Sequence, residues 1–448
     1  MKRKITLFLS LLLSFSLVLT ACGGGSGNTQ GDSSSTGNQG KNDSGEKNVT
    51  IQFWHTLTEE ERVSVLKDLI AKFEAENPGI HVEQVPTAEE DFPSKISAAL
   101  GANKLPAIIE GGIDQMMFLG KSEVLDESLH EEIINEIGKD DFFKGPLDNM
   151  KDPKGGYFGV PISGWVQGIW YNQELFKEKG LEPPTTWENI LKAAKAFYDP
   201  QNQKYGIVIG TQKDDFSEQT FSQFALSNNA VVFDRDGKVN FNTPEMVEAL
   251  TFYKELAQYT PPGAESWREA REMYLAGRVP MVMYSTYIMG DLSQNKELAK
   301  ATGFAVPEKK SKASFGQISS LAVMNTITPE QREAAKKFVL FMMEKESNIK
   351  YLHLSPGGTN PVRKSIAEDP VYLDNEVLKT FGELASTIPF ALDNLQRFGF
   401  QDGITYPQMG SISAQFIIGD AIYNMTEHGM EPKEAADKAQ EAMEKVTQ

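Results

Sequence analysis

The residues from Asn48 onward alternate between strand-like and helix-like segments, and this alternation restricts the possible folds more than any other feature of the chain. NVTIQFWH alternates apolar and polar side chains as a strand does, and EEERVSVLKDLIAKFEAENPG places apolar residues at helical spacing before an Asn-Pro-Gly stop. A strand (IHVEQVPT), a helix (DFPSKISAALGANKL) and a short strand (PAIIEGG) complete the pattern. This βαβαβ order within about 65 residues predicts a parallel sheet covered by helices.

The later part of the chain continues with both kinds of segment. GYFGVPIS and GQISSLAVM indicate strands, VFDRDGKVNF indicates a hairpin with an Asp-Gly turn, and REAREMYLAGRVPMVMYST indicates a helix, a glycine stop and a strand. PEQREAAKKFVLFMME and EPKEAADKAQEAMEKVTQ are amphipathic helices. We therefore expect parallel-type α/β units on both sides of GVPIS. At 448 residues the chain is too long for a single core and fits two lobes plus tails.

The N-terminus has the pattern of a bacterial lipoprotein signal peptide over residues 1–21. A cationic MKRK is followed by the apolar run ITLFLSLLLSFSLVL and then by LTAC, which resembles the lipobox whose cysteine is acylated. This pattern predicts that Cys22, the single cysteine, carries the lipid and becomes the first residue of the mature chain. The predicted location is the extracytoplasmic face of the cell membrane, with the protein held there by its lipid (palmitate) anchor.

Residues 22–47 are predicted to be a flexible tether. Eight of the 25 residues after Cys22 are glycine and five are serine, and none carries an aliphatic side chain. Such a segment cannot bury enough apolar surface to offset the entropy that it would lose on ordering. Its root-mean-square reach is about 25–30 Å, which would let the folded part move above the membrane.

Composition and motifs argue against several functional classes. The net charge of −18 disfavours nucleic acid as a partner, and one cysteine excludes an intrachain disulfide framework. The five histidines have no metal-ligand spacing, so we expect no metal and no cofactor. FLGKSEV lacks the first glycine of a phosphate-binding loop, and DRDGKVNFNTPE lacks the central glycine of a calcium loop. No nucleophile elbow is present. A binding protein, with no catalytic residues, is expected rather than an enzyme.

Several longer stretches carry a family resemblance. VTIQFWHTLTEEE, KISAALGANKLPAII, YFGVPISGWVQGIWYNQELFKEKGLEPPTTWENILKAAKAF and MYLAGRVPMVMYST resemble the extracellular solute-binding lipoproteins of bacterial ABC importers, in the group that binds carbohydrates or glycerol phosphate. The resemblance covers nearly all of residues 48–448. It implies the type II periplasmic-binding-protein fold, in which two α/β lobes are joined by a hinge and the ligand lies in the cleft between them.

The same resemblance implies lobe boundaries and a function. The chain would cross between lobes near residues 159–162, 303–307 and 342–347, so that lobe 1 comprises 48–159 with 304–344 and lobe 2 comprises 160–303 with 345–448. The protein would be the substrate-binding component of an ABC importer, a monomer that captures a mono- or oligosaccharide and delivers it to the permease subunits in the membrane. Three alternatives stay open: a glycerol-3-phosphate or glycerophosphodiester binder, a lipid-anchored glycoside hydrolase with a carboxylate pair, and a sensory binding protein that lacks a transporter.

The residues expected at the ligand occupy strand ends and loops that match the family's cleft. They are Trp54, Asp91, Phe92, Asp114, Trp165, Trp267, Tyr284, Tyr287, Gly316, Ser319, Gly357, Gly358 and Arg397. Aromatic rings stack on the C–H faces of sugars, and carboxylates accept hydrogen bonds from hydroxyls. Trp165, Tyr287 or Trp54 would stack, and Asp91 and Asp114 would accept. Packing alternatives remain for Trp54 as a core residue and for the two aspartates as helix caps.

The ligand class depends mainly on one position. Glycerol-phosphate binders of this family have a serine pair where this chain has Gly164-Trp165. A large aromatic ring favours a sugar, whereas a phosphate would need several donors such as arginines. Arg397 and Arg363 keep the phosphate alternative open.

Overall fold

The structure is a computed structural model that describes residues 48–401 and 404–447. The predicted signal peptide (1–21), the predicted lipidation site Cys22 and the predicted tether (22–47) lie outside the described residues. Within those ranges, none of the helices combines the length and the apolar character that crossing a membrane requires.

The strands of the described ranges are β1 Val49–His55, β2 Ile80–Pro86, β3 Ile108–Gly112, β4 Val160–Asn172, β5 Met281–Ser285, β6 Thr302–Ala305, β7 Gly316–Val323, β8 Phe400–Gln401 and β9 Ile404–Thr405. The helices of the first half are α1 Glu60–Glu76, α2 Phe92–Gly101, α3 Ile113–Lys121, α4 Glu127–Ile137, α5 Lys144–Met150, α6 Gln173–Glu178, α7 Trp187–Phe197, α8 Asp215–Ser227, α9 Pro244–Ala257 and α10 Trp267–Leu275. Those of the second half are α11 Ile288–Leu292, α12 Lys296–Ala301, α13 Pro329–Met343, α14 Lys345–Leu352, α15 Lys364–Ala367, α16 Pro370–Leu373, α17 Glu376–Phe381, α18 Glu383–Thr387, α19 Met409–Ala414, α20 Ile417–Thr426 and α21 Pro432–Val446.

The first three strands form the predicted parallel sheet. β1 pairs in parallel with β2 along its whole length and with β3 through Phe53 and Trp54. Helix α1 covers this sheet because its apolar residues recur at helical spacing, and Phe73 on its inner face is fully buried. The rings of Phe53 and Phe73 both contact Phe338 of α13, with centroids 5.4 and 5.2 Å apart. The βαβαβ prediction is confirmed.

Strand β4 connects the two parts of the sheet. Its first half pairs with β7, which in turn pairs with β3, and its second half pairs with β5 and β6. All of these pairings are antiparallel, so the expectation of parallel units on both sides of GVPIS is wrong for the strands that follow it. The parallel contacts described there are four isolated bridges, Thr186 with Glu308, Val208 with Val282, Ser314 with Leu395 and Pro356 with Thr359. β5 and β6 both pair with the second half of β4, whose first half already pairs with β7. They therefore extend the existing sheet and do not build a separate parallel unit.

Two hydrophobic cores lie on opposite faces of β4. Successive side chains of a strand point to opposite faces, and accordingly Trp170 belongs to the larger core while its neighbours Ile169 and Tyr171 belong to the smaller one. The larger core contains β1, β3, β7 and α13, and the smaller core contains α7, α8, α9 and α21. In the smaller core Trp187 stacks on Phe252 with ring centroids 4.3 Å apart, so this tryptophan is a packing residue.

The predicted hairpin around the Asp-Gly turn is reduced to a turn. Phe233 and Val239 form one isolated antiparallel bridge, and Gly237 has the positive φ of 79° that such a turn needs. The Asp234 carboxylate accepts hydrogen bonds from the backbone N–H groups of Asp236 and Lys238, at 3.0 and 2.9 Å. These side-chain bonds satisfy the turn locally, and α9 begins soon after it, at Pro244.

Candidate functional site

A cavity of about 680 Å³ gathers residues from widely separated parts of the chain. We call it the main cavity. Its walls include Asp114 at the start of α3, Trp165 on β4, Glu218 on α8, Gln317 on β7 and Arg397 in the loop before β8. The site can form only in the folded chain, because these elements meet through the β3-β7-β4 part of the sheet.

Arg397 is held in a fixed position on the wall of the main cavity. Its guanidinium donates to the Gln317 side-chain oxygen at 2.8 Å and lies 3.5 Å from the Asp114 carboxylate. The guanidinium carbon also lies 5.3 Å from the ring centre of Phe315 and 5.4 Å from that of Phe400. Two aromatic faces and two polar partners leave Arg397 few alternative positions, so its charge is preorganised at the cavity wall.

Trp165 is the aromatic residue between the elements of the site. It is half-buried, and its ring lies 6.4 Å from that of Tyr287 and 5.7 Å from that of Phe315. The backbone at Trp165 pairs with Gln317 of β7, which places its side chain beside the Arg397 group. A half-buried indole at a cavity wall can offer a flat apolar face to a ligand.

A smaller cavity of about 210 Å³ adjoins the main one, and we call it the side compartment. Trp165, Asp215 and Gln219 line both cavities. The side compartment is also lined by Trp267, Tyr284, Gln167, Phe216 and Ser285. Trp267 is 42% exposed at the first turn of α10, which gives the compartment an aromatic edge open to solvent.

Burial shifts the pKa values of two residues around these cavities. Burial raises the pKa of the Glu218 carboxyl to about 7, and the negative charges of Asp215 and Asp114 add to this rise. Two groups lower the pKa: the Ser413 hydroxyl, which donates to the Glu218 carboxyl at 2.7 Å, and the positive charge of Arg397. Burial raises the pKa of Tyr284 to about 12. Around neutral pH, therefore, Tyr284 is a neutral hydroxyl and Glu218 is partly protonated, so both can donate to a ligand oxygen.

The structure brings five of the predicted ligand residues to these cavities. Asp114 and Arg397 line the main cavity, Trp267 and Tyr284 line the side compartment, and Trp165 lines both. Tyr287 contacts Trp165 and is 44% exposed, so it lies next to the site.

Three predicted glycines have packing reasons of their own. A Cβ at Gly316 would lie 2.2 Å from the Trp165 carbonyl oxygen, and one at Gly358 would lie 2.5 Å from the ring of Tyr287. Gly357 has a φ of +80° and lies against Met289. Gly316 and Gly358 thus allow the backbone to approach Trp165 and Tyr287 closely, and Gly357 supplies a positive φ.

The remaining predicted residues line neither cavity in the described part of the chain. Phe92 is fully buried in the larger core, and Trp54 is 7% exposed there with the Lys95 ammonium 4.2 Å from its ring centre. Asp91 is exposed beside α2 and makes no side-chain cap bond. The Ser319 hydroxyl donates to the buried carboxyl of Glu110. The packing alternative for Trp54 agrees with this position, whereas the capping alternative for Asp91 does not.

Among the residues lining the two cavities that sequence reasoning missed are Gln317, Glu218, Gln167 and Phe315. Gln167 left a signal, since it is a polar residue in the middle of the mainly apolar strand VPISGWVQGIWYN. Glu218 and Gln317 left none, because their positions depend on how α8 and β7 pack.

A larger cavity of about 840 Å³ lies elsewhere, beside α5 and the turn at residues 233–235. The described residues of its wall include charged groups such as Lys144, Asp148 and Asp393, but no tryptophan or tyrosine. Size alone would favour it as a ligand site. The main cavity is the better candidate because it combines aromatic faces with fixed polar groups, as small-molecule sites do.

Comparisons with solved structures identify the fold. The sugar-binding protein MalE from Xanthomonas citri superposes with a TM-score of 0.73 and 18% identity over 89% of this chain and 97% of that one. A solute-binding protein from Agrobacterium radiobacter in complex with ribitol superposes with a TM-score of 0.67 and 24% identity over 90% of this chain and 99% of that one. The predicted fold class, a two-lobed α/β periplasmic-binding-protein fold with an interlobe cleft, is confirmed.

Sequence comparisons identify the protein family. Residues 58–349 match the family described as bacterial extracellular solute-binding protein. The ABC transporter periplasmic-binding protein YcjN of Escherichia coli is 37% identical over 85% of this chain and 88% of its own length. The sn-glycerol-3-phosphate-binding protein UgpB of Shigella dysenteriae is 28% identical over 56% of this chain and 59% of its own length. The chain belongs to the bacterial extracellular solute-binding protein family of ABC transporters.

Proposed function

We propose that this protein captures a neutral mono- or oligosaccharide in the main cavity and the side compartment and delivers it to ABC permease subunits. The observation that carries the proposal is Trp165, a half-buried indole between two cavities whose other walls combine aromatic rings with polar groups. An aromatic face flanked by fixed donors and acceptors suits a sugar ring and its hydroxyls. Fold relatives support the same class, since their solved structures hold maltose, laminaribiose and ribitol.

In this proposal the ligand joins two lobes, with lobe 1 formed by residues 48–159 and 304–344 and lobe 2 by residues 160–303 and 345–448. Asp114 and Gln317 then contact the ligand from lobe 1, and Trp165, Glu218 and Arg397 contact it from lobe 2. A ligand that touches both lobes stabilises their closed arrangement, because its contacts are complete only there. The permease subunits would recognise that closed form.

Membrane attachment is part of the proposal. Acylation of Cys22 in LTAC would hold the protein at the extracytoplasmic face of the cell membrane, and residues 22–47 would act as its tether. The protein would act as a monomer, in which one chain carries the whole site.

Glycerol-3-phosphate or a glycerophosphodiester is a second candidate ligand because Arg397 faces the main cavity and a glycerol-phosphate-binding relative matches. The charge of the site favours the neutral sugar instead. The carboxylates of Glu89, Asp114 and Asp215 line the main cavity together with the cations Lys121 and Arg397, so its wall has no excess of positive charge to hold a phosphate dianion. Arg363 is buried and donates to the Met343 carbonyl oxygen at 2.5 Å, so it supplies no second arginine to the cavity wall.

A thermal-shift screen of the full chain, purified in detergent, tests the proposal. The panel contains maltose, laminaribiose, ribitol, D-tagatose and glycerol-3-phosphate. A compound present at 100 times its dissociation constant stabilises the folded state by about 2.7 kcal/mol, so a binder raises the melting temperature. Shifts with glycerol-3-phosphate alone would overturn the sugar proposal. Recovery of a bound disaccharide as its hydrolysis products would favour the remaining alternative, a lipid-anchored glycoside hydrolase.

A further inference from the structure

Gln167 has an unusual position in strand β4. Its side chain is 1% exposed, yet neither its amide nitrogen nor its amide oxygen has a hydrogen-bond partner among the described residues. Buried polar groups in proteins are nearly always hydrogen-bonded, because leaving them unpaired is costly. A buried amide with no protein partner is therefore expected to have a reason that packing does not supply.

The surroundings of Gln167 indicate that reason. Gln167 and Trp165 are two residues apart on β4, so their side chains point to the same face. Both line the side compartment, together with Tyr284 of the neighbouring strand β5 and Trp267 of α10. The amide thus borders a cavity that has two indole rings and a phenol on its walls.

The size of the side compartment limits what it can hold. Its volume of about 210 Å³ is below the roughly 300–1,000 Å³ of sites that enclose a whole small-molecule ligand. The main cavity, at about 680 Å³, lies within that range and shares Trp165, Asp215 and Gln219 with the side compartment. One ligand can therefore extend from the main cavity into the compartment, with only its end beside Gln167.

The charges around Gln167 determine which kind of ligand end fits. The side compartment is lined by the Asp215 carboxylate and by no lysine or arginine among the described residues. Arg271, the nearby cation that interacts with Tyr284, is engaged by Asp291 through two contacts of 2.7 Å. A phosphate or carboxylate would meet only like charge there, whereas hydroxyls can both donate and accept.

We propose that the side compartment is a specificity-determining subsite in which the Gln167 amide binds the hydroxyls of one neutral, polyhydroxylated end of the ligand. The primary amide offers two donors and one acceptor oxygen, so it can pair with two neighbouring hydroxyls at once. This subsite rests on the proposed sugar-binding function and adds to it the residue that selects the neutral end.

The test compares two glutamine variants of the full chain, purified in detergent. Gln167→Leu removes the amide at nearly constant volume. Gln223→Leu makes the same change at a residue that is also fully buried and also has an unpaired amide oxygen, but that lines neither cavity. Affinities for maltose, laminaribiose, ribitol and D-tagatose are measured by calorimetry, and melting temperatures are measured without ligand.

We expect Gln167→Leu to weaken the tightest-binding of these compounds by about tenfold or more, since hydrogen bonds to buried hydroxyls are lost. The ligand-free melting temperature should not fall, because no protein hydrogen bond is removed. Gln223→Leu should leave the affinity unchanged. If Gln167→Leu does not give a cooperative melt, Gln167→Asn replaces it in the test. This variant keeps the amide but shortens its reach, and we expect it to lose affinity for the same compound.

Two other outcomes would contradict the inference in different ways. Wild-type affinity in the Gln167 variant would remove Gln167 from the site while the sugar-binding function stands. Binding of none of the four neutral compounds by the wild-type chain would reject the proposed function, and the subsite with it.

Discussion

At the scale of single residues, the site is built from side chains whose neighbours leave them little freedom. Arg397 lies between two aromatic rings, and its guanidinium contacts Gln317 and Asp114. Trp165 packs against Phe315 and remains half-buried. Preorganised groups of this kind lose little conformational entropy when a ligand binds, so more of the contact energy contributes to affinity.

Truncation of the central indole should weaken sugar binding directly. We expect Trp165→Ala to lower the affinity for the sugar identified in the screen by about tenfold or more, because the stacking face is lost. Calorimetry measures the change. Tyr198→Ala provides the control, since Tyr198 is a partly exposed aromatic residue that lines neither the main cavity nor the side compartment. Equal affinity of Trp165→Ala and wild type would exclude Trp165 as the stacking residue.

The pKa of Glu218 predicts a pH dependence of stability. Burial raises this pKa to about 7, above the ordinary value of 4.5, so between these values the folded state binds more protons than the unfolded state. The contribution of Glu218 to stability is therefore present below about pH 4.5 and is lost as the pH rises through about 7. At about 1.36 kcal/mol per pKa unit the loss is at most about 3 kcal/mol.

Glu218→Gln checks this dependence. The variant should melt at a higher temperature than wild type at pH 8, and the difference should shrink towards pH 5, where the wild-type carboxyl is protonated. Glu174→Gln, which removes an exposed carboxylate, accounts for the change in net charge. A constant difference between the Glu218 variant and wild type across this pH range would contradict the raised pKa.

At the scale of elements, the long strand β4 sets the geometry of the site. Its first half pairs with β7, and its second half pairs with β5 and β6. Trp165 and Gln167 both belong to this strand, and its two faces pack against the two different cores. Close approach of β4 and β7 depends on Gly316, whose missing side chain leaves room for the Trp165 carbonyl group. Position 316 is therefore expected to tolerate no larger residue.

Gly316→Ala should destabilise the fold and disturb the site together. The added Cβ would lie 2.2 Å from the Trp165 carbonyl oxygen, and backbone cannot move aside as a flexible side chain can. We expect a loss of about 1–3 kcal/mol in the free energy of unfolding, measured by denaturant titration. Gly290→Ala is the matched control, because Gly290 is a helical glycine with nothing within 4 Å of its Cβ position. Similar stabilities for the two variants would show that β4 and β7 have room to separate.

At the scale of the whole molecule, the site requires both ends of the described chain. Asp114 comes from the first α/β units, Trp165 from β4 and Arg397 from the last quarter of the sequence. A ligand between such distant segments can couple their relative positions, which is the basis of the proposed delivery to a permease.

Closure on ligand can be measured in solution. We expect small-angle X-ray scattering of the purified chain to show a smaller radius of gyration when a sugar from the screen is saturating, because contacts with both lobes favour the closed arrangement. A sugar that gives no thermal shift, at the same concentration, is the control. An unchanged radius of gyration at saturation would contradict the closure mechanism, although binding itself would stand.

The sequence by itself determined the features that depend on local pattern. Alternation and helical spacing predicted β1, α1, β2, α2 and β3 in their parallel order, because hydrophobic periodicity is a local property. Trp165 and Asp114, which the family resemblance placed at the ligand, line the candidate cavities, and their contact with a ligand stays a prediction. The family resemblance added the two-lobed fold, which the comparisons confirm.

Which side chains meet at the cavities, and which are buried in a core, depends on the tertiary structure. Trp54 and Phe92 had the right residue type and the right place at a strand or helix end, but packing against the larger core buries them. Gln317, Glu218 and Gln167 reach the cavities because β7, α8 and β4 come together from distant parts of the chain. The burial and the hydrogen-bond partners of a side chain depend on these long-range contacts, so they cannot be predicted from a local sequence pattern.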